Sequence, residues 1–168
     1  MSYEAAVAVM IGAAVLVLGA MLFAWRRRLR RDSGLHAPLG VPEHADVLSR
    51  HEVLYVATTR HDQPLERLTI RPLAYRARGE AVITDRGLAL SLDGSPTVFL
   101  ASNRLVAVDR ATVAIDRVVE PGGLVRVVWQ VDESTRVDSY LRVVSGDPTH
   151  VITELQRLCA APETGASS

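Results

Sequence analysis

The sequence predicts a single membrane-spanning helix followed by a mainly-β domain that ends in one amphipathic helix. Three observations predict it. Ala5–Trp25 carries no charged residue and is followed by five arginines within six positions, Arg26–Arg31. From Glu52 the chain breaks into short β-favouring runs separated by turn residues, several with an apolar side chain at every second position. After Asp147-Pro148 the period becomes helical, with Val151, Ile152, Leu155, Leu158 and Cys159 on one face.

The span comes first. A helix over Ala5–Trp25, rising about 1.5 Å per residue, reaches roughly 30 Å, the thickness of a bilayer's hydrocarbon core. A cleaved signal peptide would need a basic N-terminal region and a shorter apolar core. Met1-Ser2-Tyr3-Glu4 has no basic side chain, and the apolar run ends directly in Trp25 and the arginines. The positive-inside bias places Arg26, Arg27, Arg28, Arg30 and Arg31 on the cytoplasmic side, with Trp25 as an interfacial anchor. Residues 1–4 are then a short extracytoplasmic N-terminus, and everything after Trp25 is cytoplasmic. The arginines are candidates for contact with anionic membrane lipid. Ala8, Gly12 and Gly19 share one helix face and form a candidate seam for a homo-oligomer. One span with no intramembrane charge cannot by itself enclose a solute pathway. A transport role is left only as an accessory subunit of a transport or export system.

Residues 26–50 read as a basic juxtamembrane segment and linker, since Ser33-Gly34, Pro38, Gly40 and Pro42 interrupt any periodicity. The same prolines break the spacing of His36, His44 and His51, so these histidines are not expected to assemble a metal site. The domain is expected over 51–161. Its runs are Val53–Thr59, an irregular Leu65–Leu73, Glu80–Asp85, Gly87–Leu92, Thr97–Ala101, Leu105–Val108, Val113–Val119, Leu124–Val131 and Val137–Val143. Thr84-Asp85-Arg86-Gly87 reads as a hairpin turn, and Pro121-Gly122-Gly123 as a second break. In Leu124–Val131 the odd positions Val125, Val127, Trp129 and Val131 are apolar while Arg126 and Gln130 face the other way. Alternation of that kind marks half-buried antiparallel strands, here about seven in number. Asp147 is an N-cap with proline at the first helical position, and the helix is expected to end near Ala161-Pro162. Residues 162–168 are expected to be a disordered tail. Strands of this number followed by one amphipathic C-terminal helix, which can bury its stripe only by closing a barrel or sandwich, match the arrangement of the pleckstrin-homology (PH) superfold.

Charge and chemistry narrow the function. The 168 residues carry 19 basic and 19 acidic side chains, but five of the former are the membrane arginines. From Asp32 onward 14 basic residues (19 less 5) face 18 acidic ones (19 less Glu4), which excludes a general nucleic-acid binder. Cys159 is the only cysteine, so no intramolecular disulfide and no thiolate zinc site can form, and its place on the helix stripe predicts packing. No Walker-type loop, Gly-x-Ser-x-Gly elbow or His-Glu-x-x-His helix occurs. His61 and His150 are isolated and are expected at an exposed loop and helix start. Asp85-Arg86 and Asp109-Arg110 are strand neighbours whose side chains diverge, so neither makes a dyad. No catalytic, cofactor-binding or metal-ligating residues are singled out. Arg126, Arg136 and Arg142 lie on polar faces of the last strands and are candidates for a partner or anion surface.

The chain resembles single-span membrane proteins of high-GC Gram-positive bacteria with a cytoplasmic PH-like domain. The resemblance is carried by Leu54-Tyr55-Val56-Ala57-Thr58-Thr59, Tyr75-Arg76-Ala77-Arg78-Gly79 and Ile83-Thr84-Asp85-Arg86-Gly87-Leu88. It continues through Leu105–Ile115, Gly122-Gly123, Val127-Val128-Trp129 and Val137-Asp138-Ser139-Tyr140-Leu141-Arg142. Two departures stand out. Ala57 replaces a glycine of the first strand, and Ser139-Tyr140 replaces a Thr-Gly pair of the last. The resemblance implies no catalytic residues, and it implies a frequent place beside pyrimidine-biosynthesis genes. The functional expectation is a membrane-anchored, non-catalytic module that recruits a cytosolic protein. An anionic-lipid-binding domain is the alternative.

Overall fold

The computed structural model describes residues 3–32, 35–111, 113–114, 117–118 and 123–160. They divide into two compact units, Met1–Gly34 and Leu35–Ser168. The expected tail at 162–168, the turn residues Pro121-Gly122, Met1-Ser2 and the side chains of Arg28, Arg30 and Arg31 lie outside the described residues.

The first unit is one helix, α1 (Tyr3–Asp32). It runs past the expected end at Trp25 because arginine and leucine are good helix formers, and the first glycine or proline after Trp25 is Gly34. Val7–Arg27 is long and apolar enough to cross a membrane, and none of it is buried against protein. Leu16 is 75% exposed and Met21 70%. A helix that is apolar all round has no aqueous face, which suits it to lipid. Ala8, Gly12 and Gly19 are exposed on it.

The second unit is built on strands β1 (Val47–Arg60), β2 (Gln63–Arg67), β3 (Ala77–Thr84), β4 (Gly87–Leu92), β5 (Val98–Ala101), β6 (Leu105–Ala111), β7 (Val113–Ala114), β8 (Arg117–Val118), β9 (Leu124–Gln130) and β10 (Arg136–Val143). Seven run in the order β5-β4-β3-β1-β10-β9-β6, β2 pairs with β1, and β7 and β8 form their own pair. Every strand pairing in the ladder is antiparallel. β1 is the pivot. Its first half pairs with β3 and its second with β10, with a register shift between Tyr55 and Ala57. Such a bulge bends a strand and lets it serve both halves of a curved sheet. The edge strands β5 and β6 are joined by a single turn of 3-10 helix, Ser102–Arg104. Helix α2 (Pro148–Ala160) packs chiefly on β6, with smaller contacts to that turn, β9 and β4.

The core follows the sequence periodicity. Val125, Val127, Trp129 and Val131 of β9 and its following turn are buried, and Leu88, Leu90 and Leu92 of β4 face the same interior. Val151, Ile152, Leu155 and Leu158 of α2 close it, with Cys159 half-buried beside them. Burial pushes the Cys159 thiol up, away from the thiolate form, as a packing role requires. Each fully buried Leu, Ile or Val contributes about 1.5–3 kcal/mol by its removal from water. Asp147 caps α2 as expected, its Oδ1 accepting the Thr149 N–H at 2.8 Å.

A polar chain runs through this interior. Trp129 Nε1 donates to Ser139 Oγ at 2.9 Å, and Ser139 Oγ lies 2.7 Å from Thr58 Oγ1. Thr58 Oγ1 is 2.9 Å from the Tyr55 hydroxyl, which donates to the Leu73 carbonyl at 2.8 Å. Each hydroxyl can accept once and donate once along one direction, so Trp129, Ser139, Thr58 and Tyr55 are all satisfied within this chain of bonds.

Three boundaries differ from expectation. β1 begins at Val47, six residues early, because the Asp46 N–H donates to Asp85 Oδ1 at 2.9 Å while the Asp85 N–H donates to the Asp46 carbonyl at 3.0 Å. Residues expected as linker lie along the free edge of β5: the Phe99 N–H donates to the Pro38 carbonyl, the Gly40 N–H to that of Thr97, and Ala37 is buried. The single run Val113–Val119 is instead two short strands, with Val113 opposite Val118 and Ala114 opposite Arg117.

Candidate functional site

Pleating divides β10 between two faces. Val137, Ser139 and Leu141 point inward, so Arg136, Asp138, Tyr140 and Arg142 occupy the outer face. Across the sheet, Tyr140 stands opposite Arg126 of β9, and Arg126 opposite Asp109 of β6. Three strands thereby bring an Asp, an Arg, a Tyr and a second Asp to one patch.

The patch is tightly paired. Arg126 donates from Nε and Nη2 to the two oxygens of Asp109, at 2.8 and 2.6 Å, the fork geometry that suits a guanidinium to a carboxylate. Those bonds raise the Arg126 pKa further, so it stays charged. Its Nη1 is 3.6 Å from Asp138 Oδ2. The Asp138 side chain is only 1% exposed, and a charge so buried needs partners. Its main partner is His61, in the turn after β1, whose Nδ1 lies 2.7 Å from Asp138 Oδ1. The other carboxylate oxygen accepts the Asp62 N–H at 3.4 Å.

Tyr140 forms the floor. Its ring packs on Leu124, with Val56 and Ala111 partly buried against them, and burial raises its hydroxyl pKa. Above it lies a depression of about 340 Å³ lined by Asp62, Pro64, Arg110, Ala111, Arg126, Asp138 and Tyr140. Ser139 and Tyr140, where the resemblance expects Thr-Gly, thus have separate tasks, one in the buried polar chain and one under this depression.

The candidate arginines share a face but do not form one cluster. Arg136 and Arg142 are exposed, and six residues of strand separate them by about 20 Å. Arg126 is already engaged by two carboxylates. Asp109 and Arg110 diverge as predicted, Arg110 reaching the opposite side to bond Thr149 and lie 3.8 Å from Asp147. Asp85 and Arg86 sit at their hairpin turn, 3.9 Å apart. Trp25, Arg26 and Arg27 are exposed on α1.

His61 needs a correction, for it is neither isolated nor fully exposed: its side chain is 31% exposed and bound to Asp138. Alternation alone puts Asp138 on the polar face, but placing His61 beside it requires the register of β1 against β10, where Thr59 meets Asp138. His150 is exposed at the start of α2, as expected. His36, His44 and His51 do not gather. His51 Nε2 instead lies 3.2 Å from Glu154 Oε2, onto which Ser49 Oγ also donates at 2.6 Å. Ser49 Oγ and His51 Nε2 are also 3.1 Å apart, but the carboxylate meets the same ring nitrogen that faces the serine and not the opposite one, so the three groups form a clasp between β1 and α2.

A family model described as Bacterial PH domain-like matches residues 10–157. Among solved structures, the chain is similar to the C-terminal phosphotyrosine interaction domain of APBB2 from mouse. That similarity has 11% identity and a TM-score of 0.50 and covers 75% of this chain and 95% of that one. It is also similar to the C-terminal domain of an unknown protein from Leishmania infantum, at 8% identity and a TM-score of 0.43, covering 81% and 98%. No curated protein matches. The mouse domain supports the fold alone; the family match spans nearly all of α1 to α2, and the chain therefore belongs to the Bacterial PH domain-like family.

Proposed function

We propose that this chain is a single-span membrane protein whose PH-like domain acts as a non-catalytic binding module on the cytoplasmic side, recruiting a cytosolic protein to the inner face of the membrane. The observation that carries this reading is that the domain's core is complete without the apolar helix. It closes among residues from Ala37 to Leu158. A helix of bilayer length that adds nothing to that core is best explained as an anchor, and an anchored binding domain raises its partner's local concentration without chemistry. Trp25 and the arginines from Arg26 to Arg31 set the orientation and meet anionic lipid. Ala8, Gly12 and Gly19 offer a face for self-association.

The outer face of β10, β9 and β6 is the surface assigned to the partner, since it combines a depression with exposed Arg136 and Arg142 at its margins. Within it Arg126, Asp109, Asp138 and His61 bond one another, an arrangement that holds a surface rather than one that activates a substrate. The test is photocrosslinking from position 136 or 142 in native membranes, with a protein carrying only residues 1–34 as control. A reproducible cytosolic product is expected, and its absence above the control contradicts the reading.

A further inference from the structure

We propose that the β1–β2 turn carries a metal site of the zinc class, with His61 Nε2 and the Asp62 carboxylate as ligands and Asp138 as the buried group that positions both. Among the described residues, His61, Asp62 and Asp138 are the one set of three such side chains close enough to hold an ion.

Asp138 accounts for the arrangement. Its Oδ1 is 2.7 Å from His61 Nδ1, so that ring nitrogen is engaged by the carboxylate and Nε2, on the other side of the ring, is directed away from it. Its Oδ2 accepts the backbone N–H of Asp62, tying down the next residue as well. Arg126, held by Asp109, lies 3.6 Å from the same carboxylate on its far side and helps fix its position. One residue, 1% exposed, therefore orients the ring and fixes the turn that carries the second ligand. A carboxylate that binds the far nitrogen of a metal-ligating histidine is a recurrent support in zinc sites.

The ligand spacing agrees. His61 Nε2 and Asp62 Oδ2 are 3.5 Å apart, long for a hydrogen bond. Two ligands at about 2.0–2.1 Å from a tetrahedral ion lie roughly 3.4 Å from each other. Charge agrees in sign: Asp62, Asp109 and Asp138 outnumber Arg126 and Arg110, which also borders the depression, so the surroundings are net negative and favour a cation. An imidazole ligand selects for zinc-like ions over Mg²⁺ and Ca²⁺, which prefer oxygen alone. Asp62 is 78% exposed, so the remaining coordination positions open to water.

The test is calorimetric titration of the full chain in detergent micelles with Zn²⁺, and with Mg²⁺ in parallel, together with imidazole ¹⁵N spectra of the wild type. One saturable Zn²⁺ event is expected, lost in His61→Gln and weakened at least tenfold in Asp62→Asn, with no Mg²⁺ event. Asp138→Asn should weaken it by about 10–100-fold. In the spectra, Zn²⁺ should shift Nε2 of His61 while Nδ1 keeps its proton, a readout that needs no variant to fold. Absence of a saturable event, a binding constant unchanged by His61→Gln or Asp62→Asn, or metallation at Nδ1 overturns the proposal.

Discussion

Asp138 Oδ1 lies 2.7 Å from His61 Nδ1, joining the middle of the last strand to the turn that ends the first, 77 residues away. The same carboxylate faces Arg126, so one buried charge ties together β10, β9 and the β1–β2 hairpin. Asp138→Ala leaves His61 and the Asp62 N–H without their acceptor and Arg126 without its second ion-pair partner. Charged hydrogen bonds contribute about 1.5–3 kcal/mol each, and both side-chain partners are partly solvated, so a loss of about 2 kcal/mol is expected in chemical denaturation. Asp109→Ala, whose side chain is 40% exposed, should cost less than Asp138→Ala.

The buried polar chain makes a second prediction. Ser139→Ala removes the acceptor for Trp129 Nε1 and a partner of Thr58 Oγ1, and both of those groups are buried. An orphaned buried donor costs about 1–3 kcal/mol. The expected signature is lower stability with near-native tertiary circular dichroism, since the alanine itself fits the space.

Glu154 predicts an acid limb to stability. Burial pushes its carboxyl up, but hydrogen bonds from Ser49 and His51, aided by the charges of His51 and His150, outweigh burial and leave it below the usual glutamate value. A group whose pKa is depressed by folding adds stability above its unfolded value and loses it as pH falls through the folded one. Glu154→Gln should therefore be less stable than wild type at pH 7, with the difference shrinking as pH falls below about 4.5 and lost once the pH has passed below the depressed folded value. Denaturation midpoints of both proteins across that range check it.

Gly87 closes the β3–β4 hairpin at φ +153°, where an added Cβ would lie 2.2 Å from the Leu100 carbonyl oxygen. That oxygen belongs to a paired strand and cannot move aside cheaply. Gly87→Ala should lower stability by more than about 2 kcal/mol, whereas Gly94→Ala, with open space around its Cβ, should cost only its backbone strain of roughly 1 kcal/mol. Thermal melts of the two variants separate them.

The legible parts of the fold were those written in local periodicity. Val125, Val127 and Trp129 declared their face by alternation, Leu155 and Leu158 by helical spacing, and Asp147-Pro148 by cap chemistry. Residues 35–46 were illegible because their bonds go to distant Arg71, Thr97 and Phe99, which no local pattern announces. The candidate site was half legible: Arg126 could be placed on the outer face, but its engagement by Asp109 and Asp138 depends on cross-strand register. His61 was missed for the same reason. β4 also buries both faces, Ala89 packing with Val82 and Phe99 opposite the main core, which a single alternating stripe does not convey.

The measurement that tests recruitment most directly is the distribution of the crosslinked partner between membrane and cytosol, with the full chain and with residues 1–34 removed. The partner is expected to sediment with membranes only when the full chain is present, and to remain crosslinkable to the soluble domain in the cytosol. An identical distribution in both cases contradicts an anchored binding module.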